Sequence, residues 1–161
     1  MPDAQQFRQA WSQFATGVSV ITTREADGHF HGMAANGICS VSLNPMLVLV
    51  CVDHRRQTYQ LIKRTQRFAI NILAEHQQAI AEYYARPPEK RTGDVEAPFN
   101  FTQCGSAVVD GCLAYMDCHV VQEVLAGDHT IFLGEVDEIQ VNPGRPLLYY
   151  QSAFNRLPQE G

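Results

Sequence analysis

The sequence predicts a mostly β chain, folded as a closed or nearly closed antiparallel barrel with few helices. Three observations carry that expectation. About six or seven short runs are rich in Val, Ile, Thr and aromatic residues, the types that fit a pleated, half-buried surface. Gly, Pro, Asn and Asp punctuate these runs where a chain turns. Helical periodicity is confined to the N-terminal residues and two short stretches. So many short strands leave unpaired edges unless the sheet closes on itself.

The elements follow in order. Asp3 is placed to cap a helix in which Phe7, Ala10, Trp11 and Phe14 fall at i, i+3, i+4 and i+7, a stripe read as core packing. Val18 to Thr23, the Asp27-Gly28 turn and the return from His29 to Ala35 make a hairpin. Met46 to Val52 is a continuous apolar run, the pattern of a strand covered on both faces, and Phe68 to Leu73 is another strand. Thr58 to Thr65 reads as a short helix between them. Gln77 to Ala85 reads as a second, with Ile80, Tyr83 and Tyr84 on its apolar side. Arg86 to Gln103 holds Pro87, Pro88, Gly93 and Pro98, too irregular for an element and long enough to suggest a functional lid or partner contact. Leu113 to Val124, Thr130 to Val141 and Leu147 to Tyr150 complete the strands.

At 161 residues, the length points to one domain spanning the chain. The net charge of −5 argues against wrapping nucleic acid, which needs a basic surface. The uncharged stretch from Gly32 to Val52 is not a membrane span, because Asn36, Ser40, Ser42 and Asn44-Pro45 interrupt it. Met1 to Gln6 lacks the start of a secretory peptide, and the five cysteines show no C-x-x-C spacing. Reduced thiols in the cytoplasm are the expectation. Charge is nonetheless uneven. His54 to Arg67 carries Arg55, Arg56, Lys63, Arg64 and Arg67 with no acid, either an anion site at a helix start or a solvated helix face. Thr92 to Gly144 reverses the balance, with nine acids and no Lys or Arg.

Several common sites are missing: G-x-G-x-x-G, the P-loop, G-x-S-x-G and H-E-x-x-H. His29 and His31 stand two apart on a hairpin read as solvent-facing, with no acidic cluster to complete a metal site. Gly32 to Pro45 is more informative. Its small residues let backbone approach a flat ligand, and Asn36, Ser40 and Ser42 supply hydrogen bonds.

Gly32-Met-Ala-Ala-Asn-Gly37, Ser40-Val-Ser-Leu-Asn-Pro45 and Leu47-Val-Leu-Val-Cys-Val-Asp53 resemble the flavin reductase family, which includes reductase components of two-component flavin monooxygenases. Phe14 to Thr22, Phe68 to Leu73, Gly127 to Val136 and Pro146 to Tyr150 extend the resemblance over nearly the whole chain, in order. It implies an FMN-binding split barrel, antiparallel and Greek-key-like, with a few short flanking helices. The implied activity is reduction of FMN or FAD by NADH or NADPH, with reduced flavin passed to a separate monooxygenase. A homodimer with its flavin site near the subunit boundary is also implied. An electron-transfer module that retains FMN, or a non-enzymatic split-barrel binding protein, is the alternative.

By the same resemblance, Met33, Ala34, Ala35, Asn36, Gly37 and Ser40 lie along the flavin ring, with Cys51 and Val52 beside them. Phosphate contacts map onto Asp53 to Thr58, with Gln57 and Thr58 as donors and Arg56 adding charge. The family's turn there is usually Ser-rich, whereas this chain has His54-Arg55-Arg56. His129 is assigned to the nicotinamide site, Arg86 to the flavin or a partner subunit, and Tyr150 to stacking near the ligand. Hydride transfer between two rings needs placement more than a general base, in keeping with the lack of a triad or paired carboxylates.

Overall fold

The computed structural model describes residues 1–93, 95 and 98–159. Asp94, Glu96 and Ala97, and with them two of the nine acids and part of the long connection, lie outside the described residues. The strands are β1 (Thr16–Gly17), β2 (Ser19–Arg24), β3 (Phe30–Ala35), β4 (Ile38–Leu43), β5 (Met46–Asp53), β6 (Arg67–Ile72), β7 (Phe99–Phe101), β8 (Ala107–Val109), β9 (Ala114–Ala126), β10 (His129–Val141), β11 (Leu147–Tyr150) and β12 (Ala153–Arg156). The α-helices are α1 (Ala4–Ser12), α2 (Gln57–Thr65) and α3 (Gln78–Ala85). The long connection holds a 3-10 turn at Pro88–Lys90 and strand β7, more order than its composition suggested.

Seven strands form one antiparallel sheet in the order β3-β2-β6-β9-β10-β5-β4. Its two edges, β3 and β4, are consecutive in the chain and joined only by Asn36-Gly37. From Ala35 to Ile38 the chain can span about 11 Å, whereas six gaps between strands in a flat sheet need about 29 Å. The sheet must therefore curl until its edges nearly meet, and the result is a barrel split along one seam.

One core fills the barrel, with Ile21, Val50, Val52, Ile62, Phe68, Ile70 and Phe132 at its centre. A second lies outside it, where α3, β8 and β11 cover β2 and β6 with Val20, Leu73, Ile80, Ala81, Tyr84, Val109 and Leu147. Asn71 joins the layers: its amide nitrogen donates to the Val20 carbonyl at 2.9 Å, and its oxygen accepts from the Val109 N–H at 2.8 Å.

These layers correct three expectations. The doubly covered strands are β2 and β6, where Ser19 to Thr23 and Phe68 to Asn71 are all buried, rather than β5, whose residues after Met46 alternate between half-buried and buried. On the outer side of β5, Leu47, Leu49 and Cys51 remain half-buried. In α1, the Asp3 cap forms as expected, and the Asp3 N–H donates in turn to Gln6 Oε1 at 3.1 Å. The aromatic stripe does not enter a core, because Phe7, Trp11 and Phe14 remain 58–63% exposed. The third concerns His31, which is buried at 4% exposure while His29 faces solvent against Asp27, so the two imidazoles do not converge.

Candidate active site

Met33, Ala34 and Ala35 end β3, Asn36 and Gly37 cross the seam, and Cys51 and Asp53 end β5 alongside. With Arg56 from the turn after β5 and His129 from the start of β10, these residues line a cavity of about 310 Å³. Strand register brings His129 there, since it pairs with Asp53 across the β5–β10 ladder. The Cys51 N–H donates to the Gly37 carbonyl at 2.9 Å, tying the seam to β5.

The charges around the cavity are arranged by local hydrogen bonds. Arg55 folds back on Asp53, with Nη2 2.6 Å from Oδ2, and holds that carboxyl well below the usual carboxylate range. Arg56 is exposed and makes no ion pair among the described residues. His129 Nδ1 stands 2.7 Å from Asp128 Oδ1, a contact that lowers the Asp128 pKa and leaves Nε2 as the uncommitted nitrogen. Behind the turn, His31 Nε2 lies 2.9 Å from Thr58 Oγ1, and burial, reinforced by Arg91, pushes the His31 pKa down to about 4.

A second cleft of about 470 Å³ adjoins the first and shares Asp53 and Arg56 with it. Arg55 and Gln57 line one wall and Pro87, Pro88 and Glu89 the other.

Residues 11–158 match the family model described as Flavin reductase like domain. The chain belongs to the flavin reductase family. It is 35% identical over 155 residues to the reductase component of a 4-nitrophenol 4-monooxygenase/4-nitrocatechol 2-monooxygenase from Rhodococcus opacus, covering 96% of this chain and 82% of that protein. An NADH-dependent flavin reductase from Rhodococcus sp is 34% identical over 155 residues, with 93% and 84% covered. Among solved structures, the flavin reductase PheA2 superposes with a TM-score of 0.91 at 40% identity, covering 98% of this chain and all of that one.

Ala34, Ala35 and Gly37 bring little side chain to the seam cavity, Asn36 is exposed there, and Arg56 adds a cation without an ion pair among the described residues. Of the residues expected from sequence, Met33, Ala34, Ala35, Asn36, Gly37, Cys51, Asp53, Arg56 and His129 share this one cavity, and Gln57 lines the adjoining cleft.

The others lie elsewhere. Val52 is fully buried, facing the barrel core. Thr58 is also fully buried and its hydroxyl is engaged with His31, so that side chain is not an available phosphate donor. Ser40 lies exposed on β4 and Arg86 caps the C-terminus of α3, whereas Tyr150 lines a groove beneath α1 that meets the seam cavity at Asn36. Sequence reasoning missed Pro87, Pro88 and Glu89 as a wall and His31 as a buried anchor. The length and proline content of the loop pointed to the wall, but nothing in the residue pattern marked the His31–Thr58 pairing.

Proposed function

We infer that the chain is an NAD(P)H-dependent flavin reductase that supplies reduced flavin to a separate monooxygenase component. The observation that carries this reading is the seam cavity, where the small residues at the end of β3, Arg56, without an ion pair among the described residues, and the oriented His129 line one space at the end of the β5–β10 ladder. Flavin, FMN or FAD, supplies a ring able to take up hydride from the nicotinamide. The chain supplies placement. Ala34 to Gly37 present a flat wall, while Arg56 and the amides at the start of α2 attract the phosphate. Asp128 holds His129 by Nδ1, so Nε2 is presented to the nicotinamide side of the site. Alignment of the two rings lowers the barrier by removing orientational freedom before reaction.

The same surface supports a homodimer. The cross-strand pairs Leu49–Leu133 and Cys51–Ile131 lie half-buried on the outer side of β5 and β10, away from the barrel core. An apolar sheet face of this kind fits a second copy of the chain, and Cys51 places the seam cavity at its border.

The deciding experiment is steady-state NADH oxidation with and without added FMN, after bound flavin has been measured. Oxidation that saturates with free flavin is expected. Tightly retained flavin with no turnover of added flavin would favour an electron-transfer module instead.

A further inference from the structure

We propose that His54 is a positioning residue for hydride transfer: it clamps the start of β10, and so holds His129 in place at the seam cavity. The proposal rests on the flavin reductase reading and deepens it by naming what fixes the histidine on the nicotinamide side. In the His54-Arg55-Arg56 run, Arg55 is committed to Asp53 and Arg56 lines the cavity. His54 is engaged elsewhere, by β10.

The need for a clamp comes from the sheet. β6 pairs with β9 from Ala114 to His119 and ends there, short of the hairpin tip that joins β9 to β10. Beyond Glu123, which Lys63 and Gln66 still reach, Val124 to Ala126 are exposed. On the other side β5 ends at Asp53, the partner of His129. His129 therefore occupies the last pair of its ladder, where strands fray most easily.

Two contacts from His54 extend the hold past that pair. Its N–H donates to the Asp128 carbonyl at 3.0 Å, and its Nε2 hydrogen-bonds Thr130 Oγ1 at 3.0 Å. They fall on the residues either side of His129. Thr130 is buried, and the His54 ring packs on Tyr59 of α2 with centroids 4.8 Å apart, so both ends of the ring contact are themselves fixed. Tyr59 in turn meets Phe132 of the barrel core at 6.1 Å. Asp128 completes the link, because its carbonyl is held by His54 while its carboxylate holds His129 Nδ1 at 2.7 Å. A group that aligns two rings needs such support, since small displacements cost large factors in rate.

The test follows flavin reduction by NADH or NADPH in stopped flow on the full-length protein, with flavin affinity titrated separately and thermal unfolding as the folding control. His54→Ala and Thr130→Val remove the ring contact from its two ends, and Val keeps the shape of Thr without the hydroxyl. Each should slow hydride transfer at saturating nicotinamide about tenfold while changing flavin affinity less than about twofold. His54→Gln, whose amide nitrogen can take the place of Nε2, should recover most of the rate. Action through His129 has a signature that a general loss of packing lacks: in a His129→Ala background, His54→Ala should slow transfer less than about twofold further. A folded His54→Ala or Thr130→Val protein with the wild-type rate overturns the proposal, as does the full loss recurring on top of His129→Ala. A loss confined to flavin affinity overturns it too, and assigns His54 to the flavin site. Wild-type protein that reduces no added flavin with either nicotinamide would overturn the flavin reductase reading, and the proposal with it.

Discussion

His31 shows how one buried side chain links the active-site turn to folding stability. Its folded pKa of about 4 lies below the ordinary 6.5, so above pH 6.5 both folded and unfolded chains hold it neutral. Between those values the unfolded chain takes up a proton that the folded one refuses. Stability therefore falls as pH falls through this window and levels off beneath it, by up to about 3 kcal/mol. Urea unfolding at pH 7.5 and 4.5 should show a drop in the wild type that His31→Gln largely removes. At the ligand end, His129→Ala should weaken NAD(P)H use more than flavin affinity. Stopped-flow hydride transfer against flavin titration checks this, and an unchanged hydride-transfer rate would refute the assigned role. Gly134 tests packing alone. A Cβ there would sit 2.6 Å from Phe68 Cζ and 2.8 Å from Cys118 Cβ, so Gly134→Ala should cost about 1–3 kcal/mol in thermal unfolding. The resemblance of the Gly127-Asp-His-Thr string to the family's motif pointed to His129, which lines the seam cavity, whereas His31 and Gly134 depend on strands remote in sequence.

Elements were easier to read than their surroundings. The hairpin β2–β3, the helices α2 and α3 and the strands β5, β6, β9 and β10 lie where turn residues and β-branched runs placed them, with shifted ends. Misassignment came from partners: β5 is the more apolar strand, yet β2, with Ser19, Thr22 and Thr23 among its buried residues, is the one that α3 and β8 cover from outside the barrel. The basic segment shows the same limit. Lys63 pairs with Glu123, and Arg67 with Asp117 and Asp137, so acids from the second half neutralise much of it. Asp117 also fastens the end of the long connection: fully buried, it accepts from Thr102 Oγ1 at 2.6 Å and Ser106 Oγ at 2.7 Å. Asp117→Ala leaves those hydroxyls without their acceptor and Arg67 with Asp137 alone, and should cost about 1–3 kcal/mol in denaturant unfolding.

For the whole molecule, the apolar outer side of β5 and β10 and the uncovered aromatic stripe of α1 leave hydrophobic surface unburied within one chain. Leu133→Asp, which places a charge on the outer sheet face, should convert a dimer to a monomer in sedimentation velocity, with the barrel still folded. An unchanged sedimentation coefficient would direct attention to another face. The seam has a further consequence, for the way the chain can be cut and rejoined. No strand pairing in the seven-stranded sheet runs between β3 and β4. A circular permutant opened between Asn36 and Gly37, with its native ends joined by a flexible linker, would therefore retain every ladder of that sheet. It would lose only the covalent bridge that draws the edges together at the ligand wall. Such a molecule should keep its β-rich circular dichroism while binding flavin poorly, separating the architecture of the barrel from its chemistry with a single relocated peptide bond.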